Sequence, residues 1–234
     1  IASLDTAPRR LKITVLQERE PEKLPWKDLR IDVAVEATGV FDSFQKARAH
    51  LDAGAKRAVI SAPAKDEDPQ GATVLMGVNE ELFKTCSLTS NASCTTNAGS
   101  PLIAILSEKL GIERAILSTT HAYTATQSIV DAPAKGDFRR GRAAAQNISP
   151  SSTGAAIATT KALTHLSGKF DGIAVRVPVA TGSLVDITFV ASRPTTVEEV
   201  NTMLAQAAQE ARWQGIFTVT NEPIVSSDII GSAY

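Results

Sequence analysis

Apolar residues recur along this chain at two spacings, and the switch between them predicts where strands and helices fall. In the first part, short β-rich runs predict strands at Lys12 to Gln17, Ile31 to Glu36, Ala58 to Ser61 and Cys86 to Thr89. Between the second and third lies a helical pattern, Phe44 to Ala53, with Gly54 just past its last periodic residue, where a left-handed cap is expected. A helix leading at once into a buried strand is α/β wiring and predicts a parallel sheet. Pro101 is expected to open a second helix, Leu102 to Leu110, closed by Gly111, and Ala115 to Thr120 returns as a strand.

After about Tyr123 the pattern changes. Gln127 to Pro150 is a long polar stretch with few strand signals, carrying Arg139, Arg140 and Arg142. A helix is expected from about Gly154 to Leu166, then strands at Gly172 to Val177 and Leu184 to Ala191. Thr196-Val197-Glu198-Glu199 reads as a capping box opening a helix from Val197 to Arg212. Longer elements in this meandering order fit an α+β domain. No internal repeat or low-complexity tract is visible.

Composition narrows the function classes. The 234 residues are 43% hydrophobic, enough for one large core or two modest ones. With 24 basic against 25 acidic residues, nothing suggests a surface for nucleic acid. No apolar run approaches the roughly 18 residues of a membrane span, and Ile1 to Arg10 lacks the regions of a signal peptide, so no membrane partner and a cytoplasmic protein are expected. The two cysteines, Cys86 and Cys94, suggest neither a disulfide framework nor a zinc site and are expected as reduced thiols.

Cys94 is the residue that asks for chemistry. It falls among hydroxyls and amides in Ser90-Asn91-Ala92-Ser93-Cys94-Thr95-Thr96-Asn97, where the chain enters the helix running to Leu110. Unpaired N–H groups and the positive end of a helix dipole favour a thiolate there, and a neighbouring imidazolium favours it further. His121, at the carboxyl end of the next strand, opens on the same sheet edge and is the candidate partner. The pattern alone leaves both readings open, a catalytic pair or a small packed cysteine and an ordinary histidine. Cys86, inside an expected strand, reads as core filler.

These residues also carry a resemblance. The Cys94 block, then Thr119-Thr120-His121-Ala122-Tyr123-Thr124, Ser152-Thr153-Gly154-Ala155-Ala156 and Arg176-Val177-Pro178 resemble, in order and spacing, the signatures of phosphorylating glyceraldehyde-3-phosphate dehydrogenases. Glu36-Ala37-Thr38-Gly39-Val40-Phe41 and Ile60-Ser61-Ala62-Pro63 are similar to that family's cofactor-domain motifs. The resemblance implies a partial Rossmann-type dinucleotide-binding domain over residues 1–93 and an α+β catalytic domain with a mainly antiparallel sheet over residues 94–234. It further implies oxidation of D-glyceraldehyde 3-phosphate to 1,3-bisphosphoglycerate through a thioester on Cys94, with His121 as base. The implied cofactor is NAD, the residues giving no discrimination against NADP, and the implied assembly is a homotetramer.

By the same resemblance Thr124, Arg140 and Arg176 hold the substrate's own phosphate, and Ser93, Thr95, Thr153 and Gly154 hold the attacking inorganic phosphate. Thr38, Gly39 and Ser61 fall to the cofactor. A Ser-Thr-Gly turn opening a helix suits an anion, and arginine forks suit phosphate oxygens. Without the resemblance, that turn reads equally well as a plain cap, and the arginines as a solvated or subunit-contact face, the expected role of Arg142. The family's glycine-rich turn and its C-terminal asparagine have no counterpart here, which implies a chain truncated at both ends. Competing readings are erythrose-4-phosphate dehydrogenase, against which the Ser-Thr-Gly acceptor block speaks, a non-catalytic binding protein on the same scaffold, and an unrelated Cys-His hydrolase.

Overall fold

The computed structural model describes residues 13–234. Within them the chain builds two sheets, each four strands wide. The first draws on β1 (Val33–Glu36), β2 (Arg57–Ile60), β3 (Gly71–Thr73) and β4 (Leu88–Ser90), in the order β1-β2-β4-β3. All its pairings are parallel. Helix α1 (Phe44–Asp52) crosses from β1 to β2 and buries Phe44 and Ala47 against Ala34, Ala58, Ile60 and Leu88.

Local chemistry explains the crossover. Ser43 caps α1 by accepting from the Lys46 N–H at 3.2 Å, and the Asp66 carboxylate takes the Phe44 and Gln45 N–H groups at 2.7 and 3.0 Å. After the helix, Gly54 adopts φ +105°, where a Cβ would also lie 2.6 Å from the Lys27 side chain. Only glycine meets both conditions.

The longest helix, α2 (Cys94–Leu110), leads into the second sheet, which comprises β5 (Ile112–Ala122), β6 (Ser149–Ser152), β7 (Phe170–Val177) and β8 (Ser183–Ala191). Its order is β6-β7-β5-β8. β5 and β7 run parallel, whereas β5–β8 and β6–β7 are antiparallel, so the sheet is mixed and mainly antiparallel as expected. Helices α2, α3 (Ala155–Ala162) and α4 (Val197–Ala207) cover one face, burying Ile103, Leu106, Ala156 and Leu204 against Leu117, Phe170 and Ile187. The other face leaves Ile116, Ile173, Leu184 and Val190 exposed.

Several expectations need correction. Pro101 does not open a helix; it lies inside α2. Its missing N–H costs one bond to the preceding turn. The Ser93 cap and the burial of Thr96, Ser100, Pro101 and Ile103 nevertheless carry the helix through. The expected strand at Lys12 to Gln17 begins on a residue outside the described ones, as does all of Ile1 to Arg10, and residues 13–17 form no strand. An alternating run becomes a strand only when a neighbour completes its ladder, and no described strand pairs with it. β3 and β6 were not expected, because three or four small polar residues carry no readable period; their neighbours β4 and β7 place them. The helix expected to reach Arg212 ends at Ala207, because Glu210 turns extended and lets Trp213 bury against Ala104 and Ile105. Cys86 precedes β4 rather than lying within a strand and is half-buried rather than core.

Candidate active site

The turn from β4 into α2 is what presents the thiol. Ser90 at the end of β4 is fully buried, and its hydroxyl donates to the Ala62 carbonyl at 2.7 Å while accepting from the Ala64 and Ala92 N–H groups at 3.2 and 3.1 Å. A hydroxyl has one donor and two acceptor sites, so Ser90 is saturated. Ala92 then takes φ +54°, a left-handed conformation that disfavours a Cβ. Two hydrogen bonds from the Asn97 amide, to the Asn91 and Ser93 carbonyls at 2.8 and 2.9 Å, hold the strained turn. Cys94 emerges as the first residue of α2, exposed, at the positive end of the helix dipole.

Sheet register supplies its partner. His121 pairs with Arg176 on β7 and with Ser183 on β8. The buried His121 ring reaches Cys94, with Nε2 3.0 Å from Sγ. On the other side of the ring, Nδ1 lies 2.7 Å from the Ala122 carbonyl oxygen and 2.7 Å from Arg176 Nη1, which also donates to that carbonyl at 3.0 Å. Cys94, His121 and Arg176 thus form a chain of contacts across β5 and β7. Burial lowers the Arg176 guanidinium from its ordinary range, a charge on Cys94 works against that, and the Arg140 charge adds to it.

The arginines of the polar stretch divide by partner. Arg139 is held by Asp137 at 2.9 Å and Arg142 by Asp131 at 3.2 Å. Among the described residues, Arg140 enters no ion pair. Instead Arg140 and Arg176 line a polar cavity of about 40 Å³ with Thr126, Gln127, Ser149 and Ser151. The Gln127 Oε1 is buried with no hydrogen-bond partner. Thr124 touches this cavity's rim through Thr126, whose hydroxyl lies 3.0 Å from its own. Thr126 and Gln127 were missed from the sequence, although only Ala125 separates them from Thr124; their place becomes visible only when the chain folds them beside two arginines 36 residues apart.

The second expected anion group is less assembled. Thr153 accepts the Ala155 N–H at 3.1 Å and Gly154 caps α3 without a side chain, with open space around its Cα. α3 packs on α2 through Ser100 and Thr159, 3.0 Å apart, and through Ala92 beside Ala158, which brings that turn to the side of the Cys94 turn. Ser93 already uses its oxygen to cap α2, accepting from Thr96 at 3.1 Å, and Thr95 is buried. No hydrogen bond among the described residues joins Thr153 or Gly154 to the Cys94 turn.

Thr38, Gly39 and Ser61 lie exposed at the carboxyl edge of the parallel sheet, just past β1 and β2. Open parallel sheets bind nucleotides along that edge. Gly39 has φ +73° and nothing within 4 Å of a would-be Cβ, so backbone can approach a ligand closely. These residues fit a dinucleotide. Beneath them the Thr38 hydroxyl and N–H both donate to Glu36 Oε1, and His50 Nε2 meets Glu36 Oε2 at 3.0 Å. Trp26 Nε1 donates to His50 Nδ1 at 3.0 Å. Burial pushes the Glu36 carboxyl up, but the bonds from Thr38 and His50 outweigh it and hold the group below its ordinary range.

Comparison with known proteins identifies the family. The family described as "Glyceraldehyde 3-phosphate dehydrogenase, C-terminal domain" matches residues 93–234. The chain is 50% identical over 221 residues to a glyceraldehyde-3-phosphate dehydrogenase of Mycobacterium avium, covering 94% of this chain and 64% of that protein. It is 49% identical over 221 residues to glyceraldehyde-3-phosphate dehydrogenase 1 of Streptomyces avermitilis, with 94% and 65% covered. Against glyceraldehyde-3-phosphate dehydrogenase B of Aspergillus oryzae the identity is 44% over 223 residues, with 95% and 65% covered. The chain therefore spans just under two thirds of the length of these relatives.

Proposed function

The chain belongs to the glyceraldehyde 3-phosphate dehydrogenase family, and from that premise we propose that it oxidises and phosphorylates D-glyceraldehyde 3-phosphate to 1,3-bisphosphoglycerate through a thioester on Cys94. The observation that carries this reading is the 3.0 Å contact between Cys94 Sγ and His121 Nε2 at the start of α2. The thiolate, its proton transferred to His121 Nε2, adds to the aldehyde carbon; helix N–H groups stabilise the oxyanion, which takes that proton back from Nε2 to become the hemithioacetal hydroxyl. His121 Nε2 then takes the hydroxyl proton as hydride leaves that carbon, producing the thioester. Bound NAD supplies the hydride acceptor. Inorganic phosphate attacks the thioester carbonyl, and Cys94 departs as thiolate.

In this reading Arg176 and Arg140 hold the substrate's phosphate with Thr124, and the cavity adds Thr126 and Gln127 to the set. Ser93, Thr95, Thr153 and Gly154 serve the attacking phosphate, while Thr38, Gly39 and Ser61 face the dinucleotide. Of the cofactor domain expected over residues 1–93, the described residues 13–93 then form part, and residues 94–234 form the catalytic domain. The exposed Ile116, Ile173, Leu184 and Val190 on the open sheet face support a homotetramer, in which copies of the chain cover one another. No helix among the described residues is long and apolar enough to cross a membrane, which is consistent with a cytoplasmic enzyme.

The test is a single turnover of the full-length protein with aldehyde substrate and NAD but no inorganic phosphate. The expected result is a burst of one NADH per site and an acyl adduct on the Cys94 peptide, released when phosphate is added. A protein that reduces NAD with Cys94 unmodified overturns the reading.

A further inference from the structure

One chain of buried polar groups lies outside the chemistry of Cys94. Glu36 and His50 are 3% and 5% exposed. Glu36 shares the buried face of β1 with Ala34, and His50 the buried side of α1 with Ala47. Apolar side chains of similar volume would pack in such a place without the cost of taking a carboxylate and an imidazole out of water. What the polar pair supplies, and apolar groups could not, is direction.

Every bond in the chain points to the carboxylate. The Trp26 indole only donates, so His50 Nδ1 carries the lone pair, and Nε2 carries the proton that goes to Glu36 Oε2. Glu36 Oε1 takes both the N–H and the hydroxyl proton of Thr38. With its one proton spent, the Thr38 hydroxyl can only accept. The Val40 N–H occupies one of its lone pairs at 3.1 Å, and the other is left to face outward. Gly39 offers no side chain to hold this turn, so its shape rests on these bonds and on Lys46 Nζ, which donates to the Val40 carbonyl at 3.1 Å. The main-chain carbonyl of Glu36 also accepts the Ser61 N–H at 2.9 Å, so one residue ties down both Thr38 and Ser61.

We propose that Glu36, His50 and Trp26 are positioning residues for the cofactor: they lock the turn from Thr38 to Val40 and present the Thr38 hydroxyl as an acceptor-only group, which takes a hydroxyl or amine proton of the dinucleotide and turns away its phosphate and carbonyl oxygens. The proposal rests on the reading that sets Thr38 and Gly39 against the dinucleotide. Trp26 is linked to Thr38 through His50 and Glu36, so its N–H acts on binding from behind two buried side chains. Glu36→Gln inverts the exposed group rather than deleting it. Trp26 keeps the His50 proton on Nε2, so His50 can donate only to the new amide's oxygen, and the amide N–H₂ then faces Thr38. The Thr38 hydroxyl must turn its lone pair inward and its proton outward.

NAD binding to the full-length protein, measured by isothermal titration calorimetry with urea unfolding of each variant alongside, tests this. Glu36→Gln and Thr38→Val are each expected to weaken binding about tenfold, the worth of one hydrogen bond. The double variant should bind no more weakly than the poorer single one, because both changes remove the same bond. Trp26→Phe keeps the aromatic packing and loses only the N–H; a loss of about threefold is expected, appearing in the KM for NAD with kcat retained. Thr38→Ser should bind like the parent. Leu51→Ala, at a residue packed on the same core but outside the chain of bonds, should lower stability and leave NAD affinity unchanged. A merely structural role for Glu36 predicts the Leu51→Ala result for Glu36→Gln as well, and that result, normal binding by Thr38→Val, or additive losses in the double variant overturns the proposal. If Glu36→Gln binds NAD normally while Cys94 is acylated with a burst, the proposed function stands and only the positioning role falls. Coupled losses of NAD affinity in a protein whose Cys94 is never acylated leave the positioning role standing and overturn the proposed function.

Discussion

Two buried imidazoles, one in each sheet region, meet opposite conditions. In the parallel sheet His50 lies between a pure donor, the Trp26 indole, and a pure acceptor, the Glu36 carboxylate. That pairing admits a single tautomer, with both ring nitrogens satisfied. In the mixed sheet His121 has a thiol on one side and, on the other, a donor and an acceptor that compete for the same nitrogen. A saturated chain of hydrogen bonds fixes structure, whereas a ring with competing neighbours is not held by one set of partners. The first arrangement holds the Thr38-Gly39 loop in place, and the second suits chemistry.

The largest effect that separates the two should come from His121→Asn. Burst-phase hydride transfer in the full-length protein is expected to fall by about 10² to 10⁴ with aldehyde binding largely retained. Near-normal burst rates would place His121 with His50, as a structural imidazole.

Glu36→Ala should act on stability instead. It leaves His50 and Thr38 without their buried acceptor, and urea unfolding followed by tryptophan fluorescence should show a loss of about 1–3 kcal/mol. The sign of the pH dependence follows from the same carboxyl. Its folded value lies below the unfolded one, so its contribution is fully present at neutral pH and is lost as pH falls below about 4.3. Glu36→Gln should flatten the acid limb of stability against pH; an unchanged limb would mean that the network carries no net charge-linked stability.

Within the mixed-sheet region, two substitutions sharpen the division of anion donors. Arg176→Ala should slow or shrink the burst measured without phosphate, while Thr153→Ala should leave the burst intact and raise the phosphate concentration needed for turnover. Each effect should be about tenfold to hundredfold, the worth of a hydrogen bond to a charged group. Equal damage to the burst by both would merge the two sites.

The smallest change is expected from His50→Gln, whose amide keeps one donor for Glu36 and one acceptor for Trp26. It should cost about 1 kcal/mol in urea unfolding, well below the cost of His50→Ala. Equal losses in both variants would mean that the ring packs there rather than relays hydrogen bonds.

Much of the local structure was legible because its causes are local. Thr196 was set to cap a helix by its spacing to the N–H three residues on, and it does. Gly54 was readable as a left-handed terminator, and Cys94 as a thiol at a helix start, from the residues around them. Pro101 misled because its effect on the backbone is local, whereas the burial that overrides it comes from Leu117, Phe170 and α3, all distant in sequence. Cys86 misled for the converse reason, since an apolar run places a residue near the core without saying which way its last turn faces.

What the sequence alone determined, then, was the order of elements and the residue types able to do chemistry: a thiol, an imidazole, arginines and hydroxyls in a recognisable succession. Resemblance singled out Arg140 among the three arginines, but the physical reason is tertiary: Asp137 and Asp131 neutralise Arg139 and Arg142, and Arg140 lines the polar cavity. Nor did the sequence set Arg176 against His121. Arg176 follows it by 55 residues, and no periodicity spans that distance. Only the parallel register of β5 and β7 sets the two side by side, because strand pairing is decided by which hydrophobic faces the whole domain buries together, a quantity that no short window of sequence contains.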